Sequence, residues 1–167
     1  NGVSKSYAMT GWRIGYTAGP LNVIKAMSSL QSQVASGSNS IAQYAAEEAL
    51  RSPKGAAEIE RMRKAYDERR QHIVARLNAI DGLKCVMPKG AFYVMVDMSA
   101  LIGKHLGDCE ITGSMDFASM LLENADVALT PGSAFCAEGF CRISYATSME
   151  NIDKGVDRIE RFVKNLV

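Results

Sequence analysis

Lys5 and Arg13 are the residues of this 167-residue chain whose types and spacing best suit covalent chemistry. Lys5 stands in the stretch Gly2-Val3-Ser4-Lys5-Ser6-Tyr7-Ala8-Met9-Thr10-Gly11-Trp12-Arg13-Ile14-Gly15. A lysine that gives up its proton attacks a carbonyl carbon and forms a Schiff base. An arginine is permanently charged, and its planar fork of donors matches a phosphate dianion. The small residues Gly2, Ser4, Ala8 and Gly11 let the backbone come close to a flat ring. An enzyme that holds an aldehyde cofactor covalently and anchors its phosphate needs this combination. A strand-turn region with an incidental lysine is the alternative, but a surface lysine does not require small neighbours.

A third candidate is Arg142, in Phe140-Cys141-Arg142-Ile143-Ser144-Tyr145-Ala146. An arginine inside an otherwise apolar strand is costly unless it faces an anion. A bound ligand or an internal salt bridge would both serve.

Other chemistries find little support. The net charge is +1, with 19 basic and 18 acidic residues, so no long-range field favours nucleic acid or an anionic membrane. No apolar run approaches the roughly 20 residues that span a bilayer, and no signal-peptide pattern appears. Cys85, Cys109, Cys136 and Cys141 have no metal-ligand spacing, and with only His72 and His105 a histidine metal site or triad is not expected. Cys85 and Cys141 lie in apolar runs, as reduced core thiols of a cytosolic protein would.

The stretch from Gly2 to Gly15 resembles the pyridoxal-phosphate attachment site of class I aminotransferases, the aspartate aminotransferase superfamily of fold type I. It meets the pattern small-x-small-Lys-x-x-small-apolar-x-small-x-Arg-apolar-small throughout. The resemblance implies that Lys5 forms the Schiff base with the cofactor and carries a proton between substrate Cα and cofactor C4′. It implies that Arg13 binds the cofactor phosphate, with Ser4 either reaching the phosphate or packing. Arg142 would hold the substrate α-carboxylate bidentately, and so orient the Cα–H bond. Pro88 to Tyr93 and Pro131 to Phe135 resemble segments at the mouth of the site, where Gly90, Phe92 or Phe135 faces either substrate or core. The Ser36-Gly37-Ser38-Asn39-Ser40 segment resembles a loop reaching the neighbouring subunit's site in the family's homodimers.

Specificity is less legible. No arginine occurs between Arg13 and Arg51, where mammalian-type aspartate enzymes carry one for the distal carboxylate. Ala8 to Tyr16 and Ser144-Tyr145-Ala146-Thr147-Ser148 resemble the bacterial gamma subgroup instead. That subgroup reads the distal carboxylate through residues in the first half of its chains. Those chains are more than twice this long, so the sequence looks like a C-terminal part that opens within an active-site strand and loop.

Periodicity supplies the elements that would position these residues. Trp12 to Ala18 reads as a buried strand closed by Gly19-Pro20. Val23, Ile24, Met27, Leu30 and Val34 predict a helix over 21–35, and Asn39 or Ser40 caps the next, to Arg51. A third helix starts at Ser52-Pro53 and runs to about Ile80, where Asp81-Gly82 ends it. Its apolar face is Ile59, Met62, Tyr66, Ile73, Leu77 and Ile80. The charges from Glu58 to Arg70 read as a solvated face. Strands follow at 83–87, 91–98, 127–130 and 140–145. Residues 100–113 are read as irregular and 115–124 as a helix. A capping box at Thr147-Ser148-Met149-Glu150 opens the last helix.

The expected fold is therefore α/β followed by α+β: the C-terminal part of a fold type I pyridoxal-phosphate-dependent transferase. Residues 1–52 would end the large domain, 53–80 form the linking helix, and 81–167 make the small domain. The expected function is transfer of an amino group from L-aspartate or a similar amino acid to 2-oxoglutarate, in a cytoplasmic homodimer. An aminotransferase for aromatic amino acids or alanine, or a lyase with the same cofactor, is the rival. A different reading is that these residues alone form an inactive domain lacking half the cofactor site.

Overall fold

The computed structural model describes residues 1–167, which divide into two units, 1–64 and 65–167. In the first, the predicted helical spacing becomes α1 (Leu21–Ala35) and α2 (Ser40–Arg51). Asn39 caps α2, its side chain accepting from the Ala42 amide at 3.0 Å. Pro53 opens α3 (Pro53–Asn78), where the missing N–H would have had no helical partner. At about 1.5 Å per residue, α3 is about 39 Å long.

Trp12 to Ala18 is not a strand. Thr10–Trp12 forms a short 3-10 turn, and the only pairing is an isolated bridge between Gly2 and Gly15. Trp12 and Tyr16 are 45% and 47% exposed rather than buried. A strand needs neighbours to take up its N–H and C=O groups. Here the Tyr16 amide donates to the Asn1 carbonyl at 2.8 Å, and no ladder continues from it. Val3, Ala42 and Ala46 are the buried apolar residues of this unit. α1 has none, and its stripe of Leu21, Val23, Met27, Leu30 and Val34 meets solvent.

The second unit takes the later part of α3, whose Ile73, Val74 and Leu77 are buried. Gly82, at φ +86°, reverses the chain after the helix, a conformation other residues rarely adopt. Then come β1 (Lys84–Cys85) and β2 (Tyr93–Asp97), followed by a small hairpin of β3 (His105–Leu106) and β4 (Cys109–Glu110). That hairpin replaces the irregular connection expected over 100–113, and the two-residue Gly107-Asp108 loop is the signal that could have found it. Next are α4 (Ser114–Ala125), β5 (Thr130–Pro131), β6 (Phe140–Ser144) and α5 (Met149–Lys164). The cap of α5 is Ser148 rather than Thr147: its hydroxyl accepts from the Asn151 amide at 3.2 Å.

The sheet has the order β1-β2-β6-β5, all antiparallel. Val96 lies opposite both Cys85 and Cys141, so these three share one face, together with Val94. They join Ile73, Leu77, Phe117, Leu121, Ile159 and Phe162 in one core. The other face carries Tyr93, Met95, Arg142 and Ser144. Arg142 is therefore a half-buried residue of the outer face rather than a charge in the core.

The charged run on α3 is only partly a solvated face. Arg61 and Arg63 pair with Glu58 and Glu60 in solvent. Arg70, in contrast, donates to the Pro88 carbonyl at 2.9 Å and to Asp67. It thereby holds the turn that leads into β2. Tyr66 stacks on Phe92 at 6.0 Å, and the Tyr145 hydroxyl donates to the Ala91 carbonyl at 2.9 Å.

Candidate active site

The loop from Asn1 to Tyr16 presents Lys5. The Tyr7 amide donates to the Val3 carbonyl and the Ala8 amide to the Lys5 carbonyl, both at 3.2 Å, so Ser4, Lys5 and Ser6 form a turn. Val3, 1% exposed, pins the base of that turn, while Lys5 stands in solvent and Ser4 is half-buried. Ala8 and Arg13 both take left-handed conformations, with φ of 53° and 51°. For residues with a Cβ that backbone is sparsely populated, and such strain concentrates at functional loops. The Arg13 Nη1 donates to the Thr10 carbonyl at 3.2 Å, which orients the exposed guanidinium without neutralising it.

The chemistry of this donor set fits an aldehyde-bearing ring with a phosphate. A primary amine and a guanidinium project from one loop, and around Gly11 nothing lies within 4 Å of where a Cβ would stand. A flat group can therefore approach that backbone.

Arg142 forms the second cluster, within residues 65–167. It stands opposite Met95 on β2 and Thr130 on β5. Its Nη2 donates to the Thr130 hydroxyl at 3.4 Å. The guanidinium carbon is 4.4 Å from the centre of the Tyr93 ring and 4.5 Å from that of Phe135. None of the ion pairs of this unit involves Arg142, which leaves the internal salt bridge without a carboxylate. A hollow of about 220 Å³ opens beside it, lined by Tyr93, Thr130, Ser144 and the chain at Ala128 and Leu129.

Phe135 reaches this place from the 3-10 turn Gly132–Phe135. That turn is tied to α4: the Ser133 amide donates to Ser114 Oγ at 3.1 Å, and Glu138 accepts from the Ser114 amide at 2.5 Å. The backbone N–H of Ser114, its hydroxyl and the Gly139 amide hold the Glu138 carboxyl below its ordinary range. Phe92 and Phe135, left open between substrate and core, thus separate: Phe92 packs on Tyr66, and Phe135 lies at Arg142. Sequence reasoning placed Tyr93 in a segment at the mouth of the site without singling it out, and it passed over Thr130. Alternation along Ala91 to Met98 would have put Tyr93 on an outer face, but not opposite which partner.

The family model for aminotransferase class I and II matches residues 1–159. Among curated relatives, an aspartate aminotransferase of Bacillus sp. (strain YM-2) is 48% identical over 164 residues, covering 98% of this chain and 40% of that protein. An aspartate/prephenate aminotransferase of Nitrosomonas europaea is 47% identical, covering 95% of this chain and 40% of its own. Among solved structures, the aspartate aminotransferase of Rhizobium meliloti superposes with a TM-score of 0.96 at 45% identity, over 100% of this chain and 42% of that one. An aromatic aminotransferase from Pyrococcus horikoshii superposes with a TM-score of 0.87 at 40% identity, over 98% and 42%. The chain thus spans about 40% of the length of the curated relatives it matches.

Proposed function

This chain belongs to the aminotransferase class I and II family, and from that membership we propose that it is part of an aspartate aminotransferase that uses pyridoxal phosphate. The loop that carries Lys5 and Arg13 supports this reading most directly. When bound, the cofactor supplies a ring that accepts the electron pair left on substrate Cα. Lys5 would hold the cofactor covalently and then, freed as an amine, take the proton from substrate Cα. It would return that proton at cofactor C4′. Arg13, with Ser4 beside the lysine, would hold the phosphate. Arg142 would grip the substrate α-carboxylate and so align the Cα–H bond.

In the parent enzyme, residues 1–52 would close the large domain, 53–80 link, and 81–167 form the small domain. Its substrates would be L-aspartate and 2-oxoglutarate. The reading extends to a cytoplasmic homodimer. No helix is long and apolar enough to cross a membrane. The resemblance to an aromatic aminotransferase favours one rival, an enzyme for aromatic amino acids. Comparing turnover of aspartate, tyrosine and alanine separates the two.

The decisive experiment is the absorbance of the lysine-bound cofactor. In the parent enzyme it should be present and should vanish in Lys5→Ala, and its absence from the unmodified enzyme would overturn the reading. The 167-residue chain by itself should neither bind the cofactor tightly nor transaminate. A lysine-dependent cofactor band in that chain alone would contradict this.

A further inference from the structure

We propose that Tyr93 and Phe135 are positioning residues that hold the Arg142 guanidinium ready for a planar carboxylate. The inference rests on the assignment of Arg142 as the substrate's carboxylate clamp.

Arg142 has a partly buried guanidinium on an outer sheet face, and no carboxylate forms an ion pair with it. Both ring centres lie well inside the roughly 6 Å over which a cation is attracted to an aromatic face. The two rings arrive by different routes. Tyr93 pairs with Ser144, two residues along the strand from Arg142, so the alternation of β2 and β6 puts ring and guanidinium on one face. Phe135 comes from the turn that Ser114 and Glu138 tie to α4.

The choice of aromatic rather than acidic partners has a consequence. A carboxylate at Arg142 would orient the guanidinium but also neutralise it and occupy its N–H edge. An aromatic ring attracts the cation through its face and takes no N–H bond. The charge and most of the donor fork stay available, while Thr130 restrains one edge at 3.4 Å. An arginine otherwise loses much side-chain freedom when it binds, and a pre-held one loses less. The rings would thus tighten carboxylate binding without touching the reacting atoms.

The test uses the cofactor-loaded parent enzyme and maleate, an unreactive dicarboxylate, with its dissociation constant read by calorimetry. Tyr93→Leu and Phe135→Leu should each weaken maleate roughly three- to tenfold, the range a cation–ring contact supports. Tyr93→Phe, which keeps the ring, should stay near the unmodified value. With aspartate as substrate, KM should rise in the Leu variants while kcat changes much less. In the 167-residue chain, the Arg142 Nε–H proton resonance should move on either Leu substitution, because a ring current is lost. Arg142→Lys separates the two levels of the argument. If Arg142→Lys weakens maleate and the Leu variants do not, the positioning role is overturned and the clamp stands. If Arg142→Lys has no effect either, the clamp itself falls and the inference with it. If Tyr93→Phe weakens binding as much as Tyr93→Leu, the hydroxyl rather than the ring acts, which also overturns the proposal.

Discussion

Asp153 on α5 faces His72 on α3, its Oδ1 2.6 Å from the imidazole Nε2. Arg76 donates to the same oxygen at 2.6 Å and also pairs with Asp157. These contacts join two helices that pack the core of residues 65–167 from different parts of the chain. The hydrogen bond from His72, then the nearby charges of His72 and Arg76, hold the Asp153 carboxyl below its ordinary value.

A carboxyl depressed in the folded state adds stability above the unfolded value of about 3.9 and loses it as pH falls through the lower folded value. Denaturant midpoints followed by circular dichroism should therefore drop as the medium is acidified below about pH 4. Asp153→Asn should flatten that acid limb. An unchanged limb would show that the contact does not couple to folding.

Arg13→Ala should weaken pyridoxal phosphate binding to the parent enzyme about 10- to 100-fold, the worth of charge-assisted hydrogen bonds. Arg13→Lys keeps the charge but loses the planar fork, and should fall between. Equilibrium dialysis gives both constants. Binding undiminished in Arg13→Ala would remove this residue from the phosphate site.

The thiols should divide two and two. Cys85 and Cys141 are buried, and burial pushes them up to about 11 and about 12, whereas Cys109 and Cys136 are exposed. The thiolate is the reactive form. At neutral pH Ellman's reagent should titrate two groups rapidly in the folded chain, and all four in denaturant. Four rapid groups in the folded chain would contradict this core.

A Cβ on Gly132 would sit 2.0 Å from the Ala137 carbonyl oxygen and 2.4 Å from that of Phe140. Backbone on both sides leaves no flexible side chain to move. Gly132→Ala should therefore cost about 1–3 kcal/mol, as overpacking does, and lower the melting temperature. It should also shift the Arg142 Nε–H resonance, since the turn it distorts carries Phe135. A variant as stable as the parent sequence would show that the turn yields freely.

On α1, Leu30 and Val34 are 67% and 74% exposed on an apolar stripe. Stripes of this kind mark sites that pack against something else or aggregate. The 167-residue chain should bind a hydrophobic dye and associate with rising concentration, and Leu30→Lys with Val34→Lys should reduce both. Light scattering checks the second effect.

Helices were the most legible part of the fold. α1, α2 and α4 lie within a residue or two of their sequence-based limits, since helical periodicity and caps such as Asn39 are local. The expected end of α3 at Ile80 overshot by two residues, which form turns. Trp12 to Ala18 failed because an apolar run becomes a strand only with a neighbouring strand to pair with. The β3–β4 hairpin was missed because two residues on each side carry too little pattern.

Lys5, Arg13 and Arg142 stand out by residue type and spacing because their chemistry is a property of the side chains themselves, whereas Ser4 enters only through the family resemblance. Family membership followed from the same linear pattern. What holds those side chains was decided by tertiary structure. Arg142 reads as an arginine inside an otherwise apolar strand, and sheet register sets it on the outer face, beside Tyr93 from one strand and Phe135 from a distant turn. Pairing register and turn placement depend on contacts far apart in the chain, which no local period encodes. The amine and guanidinium groups were written in the sequence, and their surroundings arose only when the strands came together.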